Sequence, residues 1–408
     1  MLRAVFLLLQ IFAFNHPTVA QPTIKVSGKV VDEATKGFIT FASVSVQGRP
    51  IGTVTNAEGE FDFYVPAGYR NDTLIVSHVG YRSYRQKIGD LTNTDKLIVL
   101  KPAPFLLDEL VIIEKNLTAK EIVEKAIRQL KTNYPTQPFC LQGFFREIEE
   151  ENGRYVLLTE AAVDLYDKNF DGKRKKGIQE SVDIKEMRRS LHQSGHNNRD
   201  NIGYALADLL ENNDVRYNRG MLDTGMNDFS IDTVTYYNDR PVYGISTANK
   251  TDRGMMYIDM ETFGFLKVSM ERRSRDPHTT YYHGSMLSDS LKIGRVWFRF
   301  SVEFEVYNDK LYPRRMHESE LNEIYSANVG KAKIVSIETL EFIVNNIIPG
   351  KESKEAKRLK YGMTLKGGKY NKDFWNNYNS LKLTTLNEKL IRDLEKEISL
   401  TEQFERQK

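Results

Sequence analysis

A loop with alternating oxygen-bearing side chains is the stretch of this sequence that comes nearest to a metal site. Asp167-Lys168-Asn169-Phe170-Asp171-Gly172 copies the opening of a calcium-binding loop, which needs oxygen ligands at alternate positions and glycine at the sixth. The twelfth position should supply a bidentate glutamate but is Ile178, and four basic residues at 173–176 lie beside the loop. The pattern therefore favours a polar turn over a metal site.

Two histidines are spaced so that one face of a helix could present both to a metal. His192 and His196 are four residues apart, but Gly195 weakens such a helix and no third ligand is evident. None of the seven histidines opens an HExxH motif, which zinc peptidases use to place two ligands on one element. His78 lies in an alternating strand pattern and is interpreted as a structural residue. We predict no metal site.

The sequence holds no arrangement typical of nucleophilic or phosphate chemistry. Gly244-Ile245-Ser246-Thr247-Ala248 lacks the second glycine of a nucleophile elbow and is not followed by a helical pattern. Neither the phosphate-binding GxxxxGKS/T nor the dinucleotide-binding GxGxxG occurs. Acid pairs such as Asp208 and Glu211 are ordinary in a chain so rich in acids. We therefore predict no catalytic residue, no cofactor and no enzymatic activity.

Composition excludes further classes of function. The 408 residues include 58 Lys and Arg and 55 Asp and Glu, so the net charge is only +3. Such a small excess gives no electrostatic case for nucleic-acid binding. No stretch reaches the roughly 18 apolar residues of a membrane helix, and we predict no transmembrane span in the mature chain. A chain of this length has room for two or three domains.

The longest regular pattern is a strand from Val296 to Tyr307. Its apolar side chains fall on every second position, and charged or amphipathic side chains fill the gaps. Because side chains alternate across a strand, one face is apolar and the other is charged. Twelve residues make a strand about 40 Å long. A strand of that length belongs to a large curved antiparallel sheet with a covered concave face.

Further strands on both sides of this one complete the predicted sheet between Phe139 and about Asn346. Turn residues separate them at Glu151-Asn152-Gly153, Asn238-Asp239-Arg240-Pro241 and Asn308-Asp309-Lys310. The order of strands and turns resembles the lipoprotein-carrier half-barrel families, in which a sheet wraps round a helix. The predicted strands are Phe144 to Ile148, Tyr155 to Tyr166, Phe229 to Tyr237, Val242 to Thr247, Gly254 to Met260, Phe265 to Met270, Val296 to Tyr307 and Lys333 to Val344.

The half-barrel resemblance implies a candidate ligand cavity on the apolar side of these strands. A lipid-like or other hydrophobic ligand would lie against that side, and the alternative is an ordinary filled core. The candidate lining residues are Met256, Ile258, Leu266, Val268, Met270, Phe298, Phe300, Val302 and Phe304.

The N-terminus has the features of a signal peptide. Arg3 supplies a positive charge, Ala4 to Phe14 is an apolar run, and Thr18-Val19-Ala20 offers small residues for cleavage. We predict a signal peptide at residues 1–20 and an exported mature protein, periplasmic or associated with the outer membrane. Cys140 is the single cysteine, so the chain cannot form an internal disulfide.

Residues 21–104 are predicted to form a small all-β domain. Short alternating runs are separated by turns, and Gly59 in the hairpin Gly52 to Phe61 supplies a positive φ. Together with Val26 to Asp32, Phe41 to Val46 and Val79-Gly80-Tyr81, this hairpin resembles the carboxypeptidase regulatory-like domain. The resemblance implies a non-catalytic, seven-stranded prealbumin-like sandwich, found at the front of many Gram-negative envelope proteins. We predict a mainly β protein, with this sandwich followed by an α+β domain whose large curved antiparallel sheet carries packed helices.

Helix signals set the remaining boundaries. A linker at 105–117 precedes the capping box Thr118 to Glu121, which starts a helix ending at Asn133-Tyr134-Pro135. The second domain is predicted at 118–348, and a charged linker with a C-terminal helix at 349–408. In that tail, Phe374, Trp375 and Tyr378 are expected to dock on the sheet rather than bind sugar. A second capping box at Thr385 to Glu388 precedes a helix with Leu390, Ile391, Leu394 and Ile398 on one face.

Two further features of the second domain concern its surface. Between Asp167 and Asn227 the periodicity fades, which indicates a mobile insertion over the sheet. Five arginines could meet anionic lipid or glycan at a membrane surface, but a solvated surface role is favoured for them. They are Arg272, Arg273, Arg275, Arg314 and Arg315.

Three hypotheses of function remain open. The first is a non-enzymatic envelope protein whose sandwich contacts a protein partner and whose half-barrel packs on itself or holds a hydrophobic ligand. The second is a structural or assembly partner of an outer-membrane receptor. The third is a hydrolase with an unrecognised site, suggested only by the association of the sandwich with peptidases.

Overall fold

The computed structural model describes most of the chain beyond the predicted signal peptide, which lies outside the described residues. Within these parts, no helix is both long and apolar enough to cross a bilayer. The described ranges are 22–92, 95–103, 117–168, 178–193, 202–216, 222–275, 281–282, 291–326, 332–361, 363–382 and 386–406.

The front of the chain forms the predicted seven-stranded sandwich. One sheet has the order β4-β1-β7, with β1 and β7 parallel, and the other has the order β3-β2-β5-β6. Val26, Val44, Phe63 and Val76 lie fully buried between the two sheets. The strands are β1 (Thr23–Asp32), β2 (Ser43–Val46), β3 (Gly52–Val54), β4 (Glu60–Pro66), β5 (Thr73–Ser77), β6 (Tyr84–Lys87) and β7 (Asp95–Leu100).

The second part is built on one large antiparallel sheet, which confirms the predicted fold class. Its order is β11-β12-β13-β14-β16-β17-β18-β8-β9-β10-β19, and β15 pairs with β16. The strands are β8 (Phe139–Glu151), β9 (Arg154–Asp167), β10 (Ser181–Arg189), β11 (Asp228–Tyr237), β12 (Arg240–Ala248), β13 (Asp252–Asp259), β14 (Phe265–Arg273), β15 (Tyr281–Tyr282), β16 (Leu291–Tyr307), β17 (Lys310–Ser326), β18 (Ala332–Pro349) and β19 (Lys357–Arg358).

Helices lie on both faces of this sheet. The first begins at the predicted capping box, where the Thr118 hydroxyl and the Glu121 carboxylate each accept the other residue's amide. The helices are α1 (Ala119–Arg128), α2 (Leu130–Asn133), α3 (Ile202–Asn213), α4 (Lys372–Asn376), α5 (Leu386–Leu394) and α6 (Leu400–Glu405).

Tight turns keep neighbouring long strands in register. The φ angles of Asn238 and Asp239 are 51° and 58°, and those of Asn308 and Asp309 are 48° and 57°. Two successive positive φ values are the mark of a type I′ turn, which asparagine and aspartate tolerate. Gly153 follows Asn152 in the same left-handed region. All three predicted turns therefore exist.

The sandwich packs on the charged face of the large sheet, which is opposite to the face that holds Phe300. Arg315 makes two hydrogen bonds to the Glu341 carboxylate, at 2.8 and 3.0 Å, and its guanidinium lies 3.7 Å from the centre of the Phe41 ring. Burial by itself would raise the pKa of Glu341, but Arg315 and His317 outweigh it and lower this pKa to about 2. These charges are buried at an interface and do not meet solvent.

Arg314 is the most completely buried charge at this junction, with 1% of its surface exposed. Its guanidinium pairs with Glu305 and donates to the carbonyl of Val344. Gly52 of the sandwich lies so close that a Cβ there would be 2.9 Å from the guanidinium carbon. The prediction of a solvated surface role is therefore wrong for Arg314 and Arg315, because the sandwich covers them.

His78 lies at the same junction and has the structural role that its strand pattern indicates. Its Nδ1 is 2.9 Å from the carbonyl of Val79, and its ring meets Tyr81 edge-on. Burial lowers the pKa of His78 to about 4, and the nearby Lys267 adds to this effect. The ring is therefore neutral at physiological pH.

The C-terminal tail ties the sandwich to the sheet. The side chain of Asn379 makes two hydrogen bonds to the backbone of Tyr64 in β4, at 2.7 and 3.0 Å, while its carbonyl accepts from Asn345 in β18. The Tyr378 hydroxyl donates to the carbonyl of Gly143, and Trp375 packs edge-on against Phe144. The tail aromatics dock on the sheet as predicted.

Three local predictions need correction. The stretch between Asp167 and Asn227, which the sequence predicts as a mobile insertion without regular structure, contains β10 and α3 in its described parts. The 17-residue strand β17 escaped the sequence pattern, since its charged side chains look like a surface segment. The tail helix α5 ends at Leu394, before Ile398, and a further helix, α6, begins at a capping box formed by Ser399 and Glu402. Thr385 lies outside the described residues.

Gly143 offers a test of the close packing between β8 and β18. A Cβ at this position would lie 2.5 Å from the Phe342 ring and 2.7 Å from the Ile343 carbonyl oxygen. The carbonyl belongs to the strand ladder and cannot move freely, so we expect Gly143→Ala to lower the free energy of unfolding by about 2 kcal/mol. Gly68→Ala is the matched control, because its Cβ would meet nothing within 4 Å. Equal urea midpoints for the two variants would contradict this packing.

Arg314→Met tests the buried junction between sandwich and sheet. Removing the guanidinium leaves Glu305 without its buried partner, and we expect a loss of about 3–5 kcal/mol in the free energy of unfolding. Arg299→Met removes an arginine whose side chain is 46% exposed and which pairs with Glu271. That control is expected to cost less than about 1 kcal/mol. Urea unfolding of both variants decides the matter, and a loss at Arg314 no greater than at Arg299 would show that the junction contributes little.

Candidate functional site

The nine side chains predicted to line a ligand cavity lie together on the concave face. Each is at most 5% exposed, and all belong to one continuous core. Helices α1 and α3 supply the opposite side of this core, through residues such as Ile122, Val123, Leu206 and Leu209. The structure thus brings the nine residues together under two helices, while their role as a ligand-binding surface stays a prediction.

A small cavity lies at one end of this core, beside Phe304. Its volume is about 50 Å³, and its walls include Tyr134, Leu210, Leu311 and Met316. A cavity of this size holds a few water molecules, whereas sites for small organic ligands are typically about 300–1,000 Å³. Among the described residues, this cavity is too small for a lipid chain.

Arg216 forms the polar wall of this cavity. Its guanidinium pairs with Asp167 at 2.5 Å, Asp214 at 2.7 Å and Glu180 at 3.2 Å. Burial raises the pKa of Glu180, although the positive charge of Arg216 opposes the shift. Three carboxylates surround one guanidinium, so the cluster does not attract a ligand anion. Asp167 opens the calcium-like loop of the sequence, but here it accepts from Arg216, and residues 169–177 lie outside the described residues.

The other end of the concave face is acidic, which the sequence pattern of the long strand does not predict. Strand register places Glu149 of β8 opposite Glu338 of β18, and Glu338 opposite Glu320 of β17. In the next row towards Phe300, Glu147 and Glu318 stand on either side of Leu340. Like charges directly opposite each other destabilise a sheet. We call these five glutamates the acidic end.

Burial makes two members of the acidic end weak acids. Glu318 is 4% exposed, and its burial raises the pKa to about 8, while the hydrogen bond from Asn212 of α3 opposes the shift. Burial also raises the pKa of Glu147, whose Oε2 has no hydrogen-bond partner among the described residues. At neutral pH the carboxyl of Glu318 is therefore mostly protonated.

Two basic side chains of the described residues lie against members of the acidic end. Arg295 pairs with Glu320 at 2.6 Å, and His192 lies 3.4 Å from Glu149. Burial and neighbouring charge shift pKa values strongly both at functional sites and in structural ion networks. The raised pKa values here therefore do not by themselves identify a functional site. The alternation of side chains along a strand could have predicted this acidic end. Glu147 and Glu149 lie on the same face of β8 as Phe145, and Glu318 and Glu320 lie on the same face of β17 as Met316.

A groove opens where the sandwich, the sheet and the tail meet. Its volume is about 240 Å³, and Phe41, Tyr155, Leu381 and Lys382 are among its lining residues. Phe41 has a φ of 55°, which is an uncommon conformation for a bulky side chain. Its ring is held against Arg315, so packing at the junction accounts for this conformation.

The remaining sequence motifs fall in ordinary structural positions. Gly244 to Ala248 lies within β12, and Asp208 and Glu211 lie on α3. His196 lies outside the described residues. Among those that the structure describes, no three His, Cys, Asp or Glu side chains are grouped as a metal would require.

Comparison with solved structures gives only remote likenesses. A DUF1329 family protein from Desulfovibrio piger covers 59% of this chain and 96% of its own, at 9% identity and a TM-score of 0.25. A structure described as showing lipid–protein interactions in lipovitellin matches 61% of this chain and 29% of its own, at 9% identity and a TM-score of 0.27. A protein of unknown function from Bacteroides fragilis, described as membrane-associated, matches 80% of this chain and 98% of its own, at 8% identity and a TM-score of 0.15. Such scores carry no argument about fold or function.

Sequence comparison is decisive for the front of the chain alone. No curated protein sequence matches the chain. A family model matches residues 26–112, which include all seven strands of the sandwich. The matched range includes the Gly59 hairpin and the turn at Gly80, on which the sequence resemblance was based. Residues 26–112, which include the sandwich, match the model of the CarboxypepD_reg-like domain.

Proposed function

We propose that the protein is an exported, non-enzymatic component of the cell envelope, and that its sandwich contacts a protein partner. The observation that carries the proposal is an apolar patch on the free face of the sandwich. The domain family, a non-catalytic module, supports the same interpretation. The predicted signal peptide supports export.

Strand register defines this patch. Val31 of β1 lies between Phe38 and Val99, and Lys29 pairs with Leu97 in the neighbouring row. Phe38, Leu97 and Val99 are 53%, 66% and 37% exposed. Grouped apolar side chains on a surface mark interaction sites more often than single ones do. We call Phe38, Val31, Val99 and Leu97 the sandwich patch.

The contacts that the sandwich makes with the other described parts of the chain lie away from this patch. The large sheet contacts β3 and the turn after β5, as in the hydrogen bond from Gly80 to Tyr236. The tail holds β4 through Asn379. The patch lies on β1, β7 and the residue Phe38, so the docked sandwich presents it outwards. A firmly held module with a free apolar face suits a protein that assembles with a neighbour, including an outer-membrane receptor.

A hydrophobic ligand on the concave face is the second candidate function. The nine apolar side chains there form a continuous surface, but α1 and α3 occupy it. Burying a leucine side chain contributes about 1.5–3 kcal/mol, so lifting Leu206, Leu209 and Leu210 of α3 costs roughly 5–9 kcal/mol before a ligand binds. A carrier function therefore needs a means of releasing the helix.

Site-specific photocrosslinking tests the sandwich patch. A photoreactive amino acid in place of Leu97 is expected to crosslink the protein to one envelope protein in intact cells. The same amino acid in place of Ile231, which is 41% exposed on β11, serves as the matched control and is expected to give no such product. Phe38→Glu should abolish the crosslink from position 97, because it charges the patch, and should leave thermal unfolding unchanged.

Two outcomes would count against the proposal. Equal crosslinking from positions 97 and 231 would show that the patch is not a specific contact. Recovery of a hydrophobic small molecule at one equivalent, by extraction and mass spectrometry of the purified protein, would favour the carrier function instead. Turnover of peptide, ester or glycoside substrates by the intact protein would favour the hydrolase alternative.

A further inference from the structure

The acidic end lies under the last turns of α3, and contacts between the two decide how this helix is seated. Asn212 Nδ2 donates to Glu318 at 2.9 Å, and Asn213 Nδ2 lies 3.3 Å from the carbonyl of His317. Asp208, one turn earlier, faces Glu318 closely enough to raise the pKa of that carboxyl. The polar side of the helix therefore rests on a buried carboxyl group.

We propose that the acidic end is a proton-controlled clamp on α3. While protons are retained among its glutamates, the helix stays seated on β16, β17 and β18. When Glu318 and Glu147 lose their protons, repulsion within the acidic end and the cost of burying charge favour release of the helix, which uncovers the apolar concave face. The clamp rests on strand register and the helix contacts, and it is independent of the sandwich patch.

Charges on every packed element support this inference. Strand β8 contributes Glu147 and Glu149, β17 contributes Glu318 and Glu320, and β18 contributes Glu338. Helix α3 adds Asp208 and Glu211, whose carboxylate accepts from the Tyr361 hydroxyl. Basic side chains of the described residues that face this group include Arg295 of β16, Arg189 of β10 and His192.

The direction of the pH effect follows from the raised pKa of Glu318. The seated helix holds a proton on a carboxyl whose pKa is about 8, whereas the released, hydrated carboxyl has the ordinary value of 4.5. Release is therefore favoured progressively as pH rises from 4.5 to 8, and the effect saturates above 8. Between pH 6 and pH 9 this one group raises the equilibrium constant for release about 100-fold. Glu147 acts in the same direction.

Hydrogen–deuterium exchange of the full chain measures this release. Peptides from α3 are compared at pH 6 and pH 9 after correction for the intrinsic exchange rate, and peptides from α1 report on global unfolding. We expect the protection of α3 to fall about 100-fold while that of α1 is unchanged. In Glu318→Gln, which keeps the shape of the protonated carboxyl, we expect a fall of less than about tenfold. Glu352→Gln changes an exposed glutamate and should behave as the parent protein.

A second variant keeps the test decisive if Glu318→Gln does not fold. Asn212→Asp places another carboxyl against Glu318, and we expect the protection of α3 at pH 6 to fall at least about tenfold. The clamp is wrong if α3 keeps its protection at pH 9, if Glu318→Gln loses protection as the parent does, or if α1 and α3 lose it together. Unchanged protection of α3 in Asn212→Asp would also overturn it.

Discussion

The central strands of one very long antiparallel sheet are covered on both faces in this protein, and the placement of its charges depends on that constraint. A sheet with one solvated face can place its charges in water. Here α1 and α3 cover one face, while the sandwich and the C-terminal tail cover the other. Charged side chains on either face must therefore find partners, share protons or weaken the packing.

The two faces meet this requirement differently. On the face under the sandwich, guanidinium and carboxylate groups pair directly, as Arg315 does with Glu341. Both groups stay ionised there, because the pKa of the Glu341 carboxyl is held low. On the concave face, burial raises the pKa of Glu318 in the acidic end. Burial is therefore met by direct ion pairing at Glu341 and by a raised pKa at Glu318.

This difference gives the two candidate functions a physical relation. Firm docking of the CarboxypepD_reg-like domain presents the sandwich patch at a fixed place on the body. Helix α3 is the element whose seating depends on weak acids, and it lies over the apolar side chains that a hydrophobic ligand would contact. A partner contact and a pH-dependent opening of the concave face would thus use separate parts of the chain.

Local patterns in the sequence alone determined an all-β front domain, the turns and most strands of the large sheet, while the family resemblance implied the sandwich. Alternation in Val296 to Tyr307, paired turn residues such as Asn238 and Asp239, and the capping box at Thr118 each act through neighbouring residues, so they can be identified without knowledge of the fold. The nine apolar side chains of the concave face were identified in the same way, and they do lie together. The domain limits drawn from these signals stay predictions.

Only the tertiary structure decided where charge is buried. Arg314 and the β17 glutamates look like surface residues in the sequence, because local pattern does not tell which face a distant domain or helix will cover. The acidic end exists through register between β8, β17 and β18, which are far apart in the chain but adjacent in the sheet. Burial and the pKa of Glu318 depend on that long-range packing, so no window of sequence contains them.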